Sequence, residues 1–192
     1  MAFRRLLQEK KDAIVRRWSD KALASYSGDS AAAFKRQKDP FANPIGHGLR
    51  VATQAIFDEL LDGPDAKAGP DMEKIGEHLF EVVRVRAVQQ FSASEAVGFV
   101  FCLKDAVRAE LGSAATDGRY LSELAEFDAR VDRVALAAFD VFVECRERLL
   151  ELRINEVKRT VPWAAQKMPR CGSDLDAGPG CPQDDVRRED LR

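Results

Sequence analysis

Between Tyr120 and Thr160 the chain contains neither glycine nor proline, and apolar residues return every three or four positions. Nothing in that stretch ends a helix, so a single helix of about 60 Å, at roughly 1.5 Å per residue, is the element around which the fold must be arranged. A kink before Val134 stays open, although no Pro or Gly marks one. The first half, VALAAFDVFVEC (134–145), is apolar except for Asp140 and Glu144 and reads as buried between neighbours. The second half, RERLLELRINEVKRT (146–160), alternates charge with Leu150, Ile154, Val157 and Val161 at four-three-four spacing. That is a short coiled-coil seam, and pairing with a second copy of the chain is favoured over packing on its own domain because the stripe outlives the core pattern. Pro162 is expected to end the helix. The sequence therefore divides into a domain over 1–161 and a tail over 162–192, whose Pro169, Gly172, Gly178-Pro179-Gly180 and Pro182 read as disorder.

Four shorter helices precede the long one, and no segment reads convincingly as a strand. Phe3, Leu7, Ile14, Trp18 and Ala22 share one face of a helix over about 3–26. Asn43 followed by Pro44 announces a second helix, with Ile45, Leu49, Ala52, Ile56 and Leu60 inward, up to Gly63-Pro64. A third runs from near Pro70 towards Phe91 with Ile75, Leu79, Val82 and Val83 inward. Ser92 and Glu95 form a capping box that starts a fourth, expected to run unbroken from Ala93 to about Leu111. Its segment GFVFCLKDAV is apolar nearly all round, so Phe101 and Phe139 are expected to lie against each other at the centre of an all-α bundle.

Charge and apolar run length exclude several classes of function. Lys and Arg total 30 against 32 Asp and Glu, leaving no basic excess to neutralise phosphates, so no nucleic-acid partner is expected. No apolar run approaches the roughly 20 residues that cross a bilayer, and MAFRRLLQEKKD turns charged too soon for a signal peptide. A cytoplasmic location without membrane insertion follows as the expectation. A chain of 192 residues buries enough surface to fold with no cofactor, and none is expected.

Sites of chemistry are sparse. No nucleophile elbow, P-loop, dinucleotide fingerprint or HExxH occurs, so the reading is non-enzymatic. His47 projects away from the apolar stripe of its helix and reads as solvated, whereas His78 falls at a stripe's edge, where it is more often half-exposed than a ligand. Cys102 and Cys145 read as small buried hydrophobes, and Cys171 and Cys181 as reduced tail residues. The most suggestive stretch is RVRAVQQFSASE (84–95), which places Arg84, Arg86, Gln89 and Gln90 just ahead of a capped helix start. Three readings stand: an arginine paired with Asp140 to offset that carboxylate's burial, a small-anion pocket, or plain exposure. The ion pair is favoured, because charges within apolar helices are normally paired. Candidate ligand-binding residues are thus Arg86, Gln89, His78 and Asp140, and candidate dimer-interface residues are Leu150, Ile154, Val157 and Val161.

Three segments, KDPFANPIGH (38–47), VRVRAVQQFSASEAVGFVFCLKD (83–105) and FDVFVECRERLLELRINEVKR (139–159), together with WSD (18–20), carry a resemblance over about Phe3 to Val161. The sequence resembles the N-terminal sensor domain of stressosome proteins, the RsbR/RsbRD type or RsbT co-antagonist N-terminal domain. The resemblance implies a globin-like helical bundle without haem, a homodimer formed through the long C-terminal helix, and a signal relayed onward. Full-length stressosome proteins carry a STAS domain after that helix, and about thirty residues are too few for one. Output is therefore expected through a regulatory partner protein not yet identified, with a small ligand as a candidate input. Globin likeness also raises a haem-binding gas or redox sensor as the alternative. The natural proximal position holds Arg84, Arg86, Gln89 and Gln90 rather than His, which leaves His78 and Cys102 as nominal axial ligands.

Overall fold

The computed structural model describes residues 2–26, 34, 36, 39–62 and 70–167, with side chains through residue 160. Among the described residues the chain is helical and contains no strand, so the fold is all-α. The helices are α1 (Ala2–Glu9), α2 (Lys11–Ala24), α3 (Pro44–Asp62), α4 (Met72–Val88), α5 (Ala93–Gly98), α6 (Cys102–Leu111) and α7 (Leu121–Lys167), with a 3-10 turn over Gly112–Thr116. Residues up to Ile154 form one compact unit, and a second unit begins at Asn155.

Three helices of the first unit, α3, α4 and α5, start where a side chain satisfies free backbone N–H groups. Asn43 Oδ1 accepts the Gly46 amide at 2.8 Å, with Pro44 in the first helical position. A Cβ on Gly46 would come within 2.3 Å of the Asn43 side chain, so this cap needs glycine there. Asp71 Oδ1 accepts the amides of Glu73 and Lys74 at the head of α4. The Lys74 amide is the main cause that holds the Asp71 carboxyl below its ordinary pKa. At α5 the expected capping box forms, with the Glu95 amide donating to Ser92 Oγ and the Ser92 amide donating to Glu95 Oε2.

The core joins all the long elements. Phe3, Leu7, Ile14, Trp18 and Ala22 of α1 and α2, Leu49, Ala52, Ile56 and Leu60 of α3, and Ile75, Leu79, Val82 and Val83 of α4 are buried in one cluster, as their spacing predicts. Against them α7 lays Leu124, Phe127, Val131, Val134, Ala138, Phe142 and Cys145. Phe127 meets Phe57 of α3 edge-on, with ring centroids 6.3 Å apart. Polar contacts set α7 on its neighbours: Lys104 with Asp132 at 2.6 Å, Arg108 with Asp128, and Arg146 Nη1 donating to the Ala87 carbonyl at 3.3 Å.

Four expectations are corrected. The first helix is two, parted at Lys10, whose amide still donates to Leu6 O and whose ammonium donates to the Glu110 carbonyl. The helix expected over 93–111 is also two. At the junction the amides of Val100, Leu103 and Lys104 donate three residues back rather than four, and this frees the Phe99 carbonyl to accept Trp18 Nε1 at 2.7 Å. Phe101 and Phe139 do not meet in the interior: each is about half exposed, at 46%, while Val100, Leu103, Ala138 and Phe142 take the buried positions. Finally, α7 shows no break at Val134 and does not stop at Pro162; a proline removes one backbone donor, and the backbone stays helical to Lys167. Residues 168–192, with Cys171 and Cys181, lie outside the described residues.

Candidate functional site, a buried arginine in an aromatic cage

Arg86 continues the inward stripe of α4, eleven residues after Ile75 and four after Val82, and this helical period carries it into the core. Its side chain is fully buried. Nη1 donates to Glu95 O at 3.1 Å and Nη2 to Ala22 O at 3.0 Å. Three rings close over the guanidinium, with centroids 4.7 Å (Phe99), 5.0 Å (Tyr26) and 5.4 Å (Phe91) from Cζ. Each such contact contributes up to about 2 kcal/mol when desolvated.

Local chemistry places every part of this cage. Ala22 lies in the last turn of α2, where carbonyls lack helical donors, so the guanidinium caps a helix end whose dipole favours a cation. Gln90 adopts a left-handed φ of 63°, and the Phe91 amide donates to Arg86 O at 3.3 Å. This six-to-one closure turns the chain back so that the Phe91 ring returns over Arg86. Phe99 is held by Trp18, whose ring lies nearly parallel at 6.3 Å and whose indole holds its carbonyl.

Among the described residues no carboxylate pairs with Arg86, and its buried Nε has no hydrogen-bond partner. Burial is the main cause that draws its pKa below the ordinary guanidinium value, with the Tyr26 hydroxyl and the Cys102 sulfur acting in the opposite direction. The expected ion pair with Asp140 does not form, because Asp140 stands exposed on α7. Arg84 is likewise exposed and pairs with Glu81 at 2.8 Å.

Two cavities flank the cage. One of about 470 Å³ is lined by Ser25, Tyr26, Phe34, Gln89, Gln90, Phe91 and Glu95. The other, about 310 Å³, runs between α3 and α4 past Ile45, Leu49, Val82 and Val85, with Tyr26 again in its wall. Tyr26 is thus shared by both cavities and by the arginine. Of the residues singled out from the sequence, Gln89 joins the Arg86 neighbourhood through the larger of these cavities. His78, half-buried along α4, Cys102, half-buried at the head of α6, and Asp140 line neither. His47 is exposed, as its projection predicts. Cys145 is buried, and its thiol is pushed up in pKa chiefly by that burial; the Cys102 thiol is also raised by burial, with Lys21 and Arg86 pulling against it. Tyr26, Phe91, Phe99 and Trp18 were not legible as a site from sequence. The one available signal was Arg86 itself, a charge on the apolar period of α4.

Comparison with known families matches residues 12–157 to the RsbT co-antagonist protein RsbRD N-terminal domain, which covers most of the chain. The chain belongs to that family. The RsbRD N-terminal domain points to a stressosome-related regulatory sensor role, and the matched span contains the Arg86 cage and most of α7. No curated protein and no solved structure matches the chain.

Among the described residues no helix is long and apolar enough to cross a membrane. On α7 of this RsbRD N-terminal domain, Leu136, Val143, Leu150 and Val157 are exposed at 67%, 37%, 51% and 59%. These four recur at seven-residue intervals, and Phe139 and Ile154 are also about half exposed. Val161 is helical in backbone, and its side chain lies outside the described residues.

Proposed function

We propose that the protein is a non-catalytic sensory module, a globin-like RsbRD-type bundle that pairs with a second copy of itself along α7 and relays a signal to a regulatory protein partner. The observation that carries this reading is the exposed seven-residue repeat Leu136, Val143, Leu150 and Val157. A surface helix has no reason to keep that period towards water, whereas a helix paired with another keeps it at every second turn. Ile154 supports the same register, and Val161 continues it in sequence. Glu144, Arg148, Glu151, Arg153, Glu156 and Lys158 flank the stripe with both signs of charge, which suits self-association better than binding to a uniformly charged surface. The inward face of α7 belongs to the same core as the Arg86 cage, so a change of packing there is transmitted to the helix that partners read. Light scattering tests the pairing. The expected mass is twice the 21.4 kDa of one chain, and Leu150→Asp with Ile154→Asp should halve it. A single-chain mass at micromolar concentration, or a dimer indifferent to both substitutions, overturns the reading.

A further inference from the structure

We infer that the Arg86 cage is the binding site for a small organic carboxylate, seated in the cavity bounded by Tyr26, Phe91 and Gln89 and reaching the guanidinium when the Tyr26 ring turns aside. This deepens the proposed sensory role by naming its input, and it rests on that role only for its meaning, not for its chemistry. Buried cations are normally matched by a buried anion, because removing either charge from water alone is strongly unfavourable. Arg86 is fully buried with two backbone carbonyls and three rings as partners, so among the described residues its full positive charge faces only partial negative charges. Among the described residues Nε has no hydrogen-bond partner. A guanidinium presents Nε–H beside one Nη–H as a two-toothed edge, and a carboxylate fits that edge.

The route is short. Tyr26 and Phe91 are both lids on the guanidinium and walls of the cavity of about 470 Å³, which has ample room for a single-ring or short-chain acid. Tyr26 lies just past the end of α2, with 6% of its surface exposed, and also lines the apolar cavity of about 310 Å³, which is where its ring moves when the ligand enters. The Glu95 carboxyl in the wall of the larger cavity, held by Ser92, repels negative charge on its side, so the ligand's charge is confined to the Arg86 end and a doubly charged ligand is repelled more strongly than a singly charged one. A singly charged acid with an apolar body therefore suits the site better than phosphate.

The experiment uses the whole chain with benzoate as probe, benzamide as its neutral match and inorganic phosphate as the doubly charged one. The readouts are the melting temperature and the nitrogen-15 Nε–H resonance of Arg86. At 10 mM benzoate the midpoint should rise by about 2–6 °C, as for a ligand near 1 mM affinity, and the Arg86 Nε–H resonance should move. Benzamide should do neither, and phosphate should act more weakly than benzoate. Arg86→Met should abolish the response. If Arg86→Met does not fold, Gln89→Trp fills the cavity, leaves the arginine in place, and should weaken benzoate binding at least tenfold. A resonance unmoved by benzoate at 50 mM, or equal responses to benzoate and benzamide, overturns the inference. Neither readout depends on whether the chain is a dimer, so failure here is distinguishable from failure of the pairing on α7.

Discussion

Replacing Trp18 by phenylalanine probes the contact that divides α5 from α6. Trp18 is fully buried, its Nε1 donates to the Phe99 carbonyl at 2.7 Å, and its ring lies 10° from parallel with the Phe99 ring. Phenylalanine keeps an aromatic surface against Phe99 but removes the donor. A buried carbonyl left without a partner costs about 1–3 kcal/mol. The smaller ring adds about 1–2 kcal/mol for lost packing and the void left behind. The sum is about 3 kcal/mol, which for a domain of this size lowers the melting temperature by about 6–12 °C. Urea unfolding followed by far-ultraviolet circular dichroism measures it, with the slope of the transition unchanged. A loss below about 1 kcal/mol would refute the reasoning. It would mean that the Leu103 amide recaptures the Phe99 carbonyl and fuses the two helices, so that Trp18 did not cause the break. Hydrogen exchange at Leu103 identifies that outcome directly.

Three further outcomes follow from single residues. Gln90 holds φ at 63°, so Gln90→Gly should stabilise the domain by about 0.5–1 kcal/mol in the same urea assay. Gly46→Ala places a methyl group 2.3 Å from the Asn43 amide nitrogen and should cost about 1–2 kcal/mol through loss of the cap, with hydrogen exchange rising in the first turn of α3. The Arg119 guanidinium holds the Asp117 carboxyl down at about 2, against an ordinary 3.8. Because the folded value is the lower one, this pair's contribution to stability is present above pH 3.8 and disappears as pH falls through 2. Carbon-13 titration of Asp117 should therefore show a midpoint near 2 that returns to the ordinary carboxylate range in Arg119→Ala.

Local rules made much of the fold legible. The Asn43-Pro44 start and the Ser92–Glu95 box are interactions within three or four residues, so the chain specifies them wherever it is placed, and both form. The inward stripes of α2, α3 and α4 follow from period alone, since a helix presents one side to whatever core exists. The absence of Gly and Pro across Tyr120–Thr160 likewise predicted one long helix, and it forms.

What remained hidden depends on residues far apart in the chain. At the break over Phe99–Phe101, Trp18, 81 residues away, takes a carbonyl that an unbroken helix would use. The exposure of Phe101, Phe139 and Asp140 turns on which side of each helix meets the core, and runs apolar all round carry no such information. Arg86 illustrates both limits. Its period marks it as inward and the local turn at Gln90 returns Phe91 over it, yet the Ala22 and Glu95 carbonyls and the Tyr26 and Phe99 rings come from other segments that nothing near it in sequence specifies. Sequence alone thus determined that the chain is helical, where most helices begin, and that its longest helix carries an unspent apolar stripe. Tertiary structure decided that Arg86 lies buried with no carboxylate beside it among the described residues, because only packing across distant segments removes water from a guanidinium.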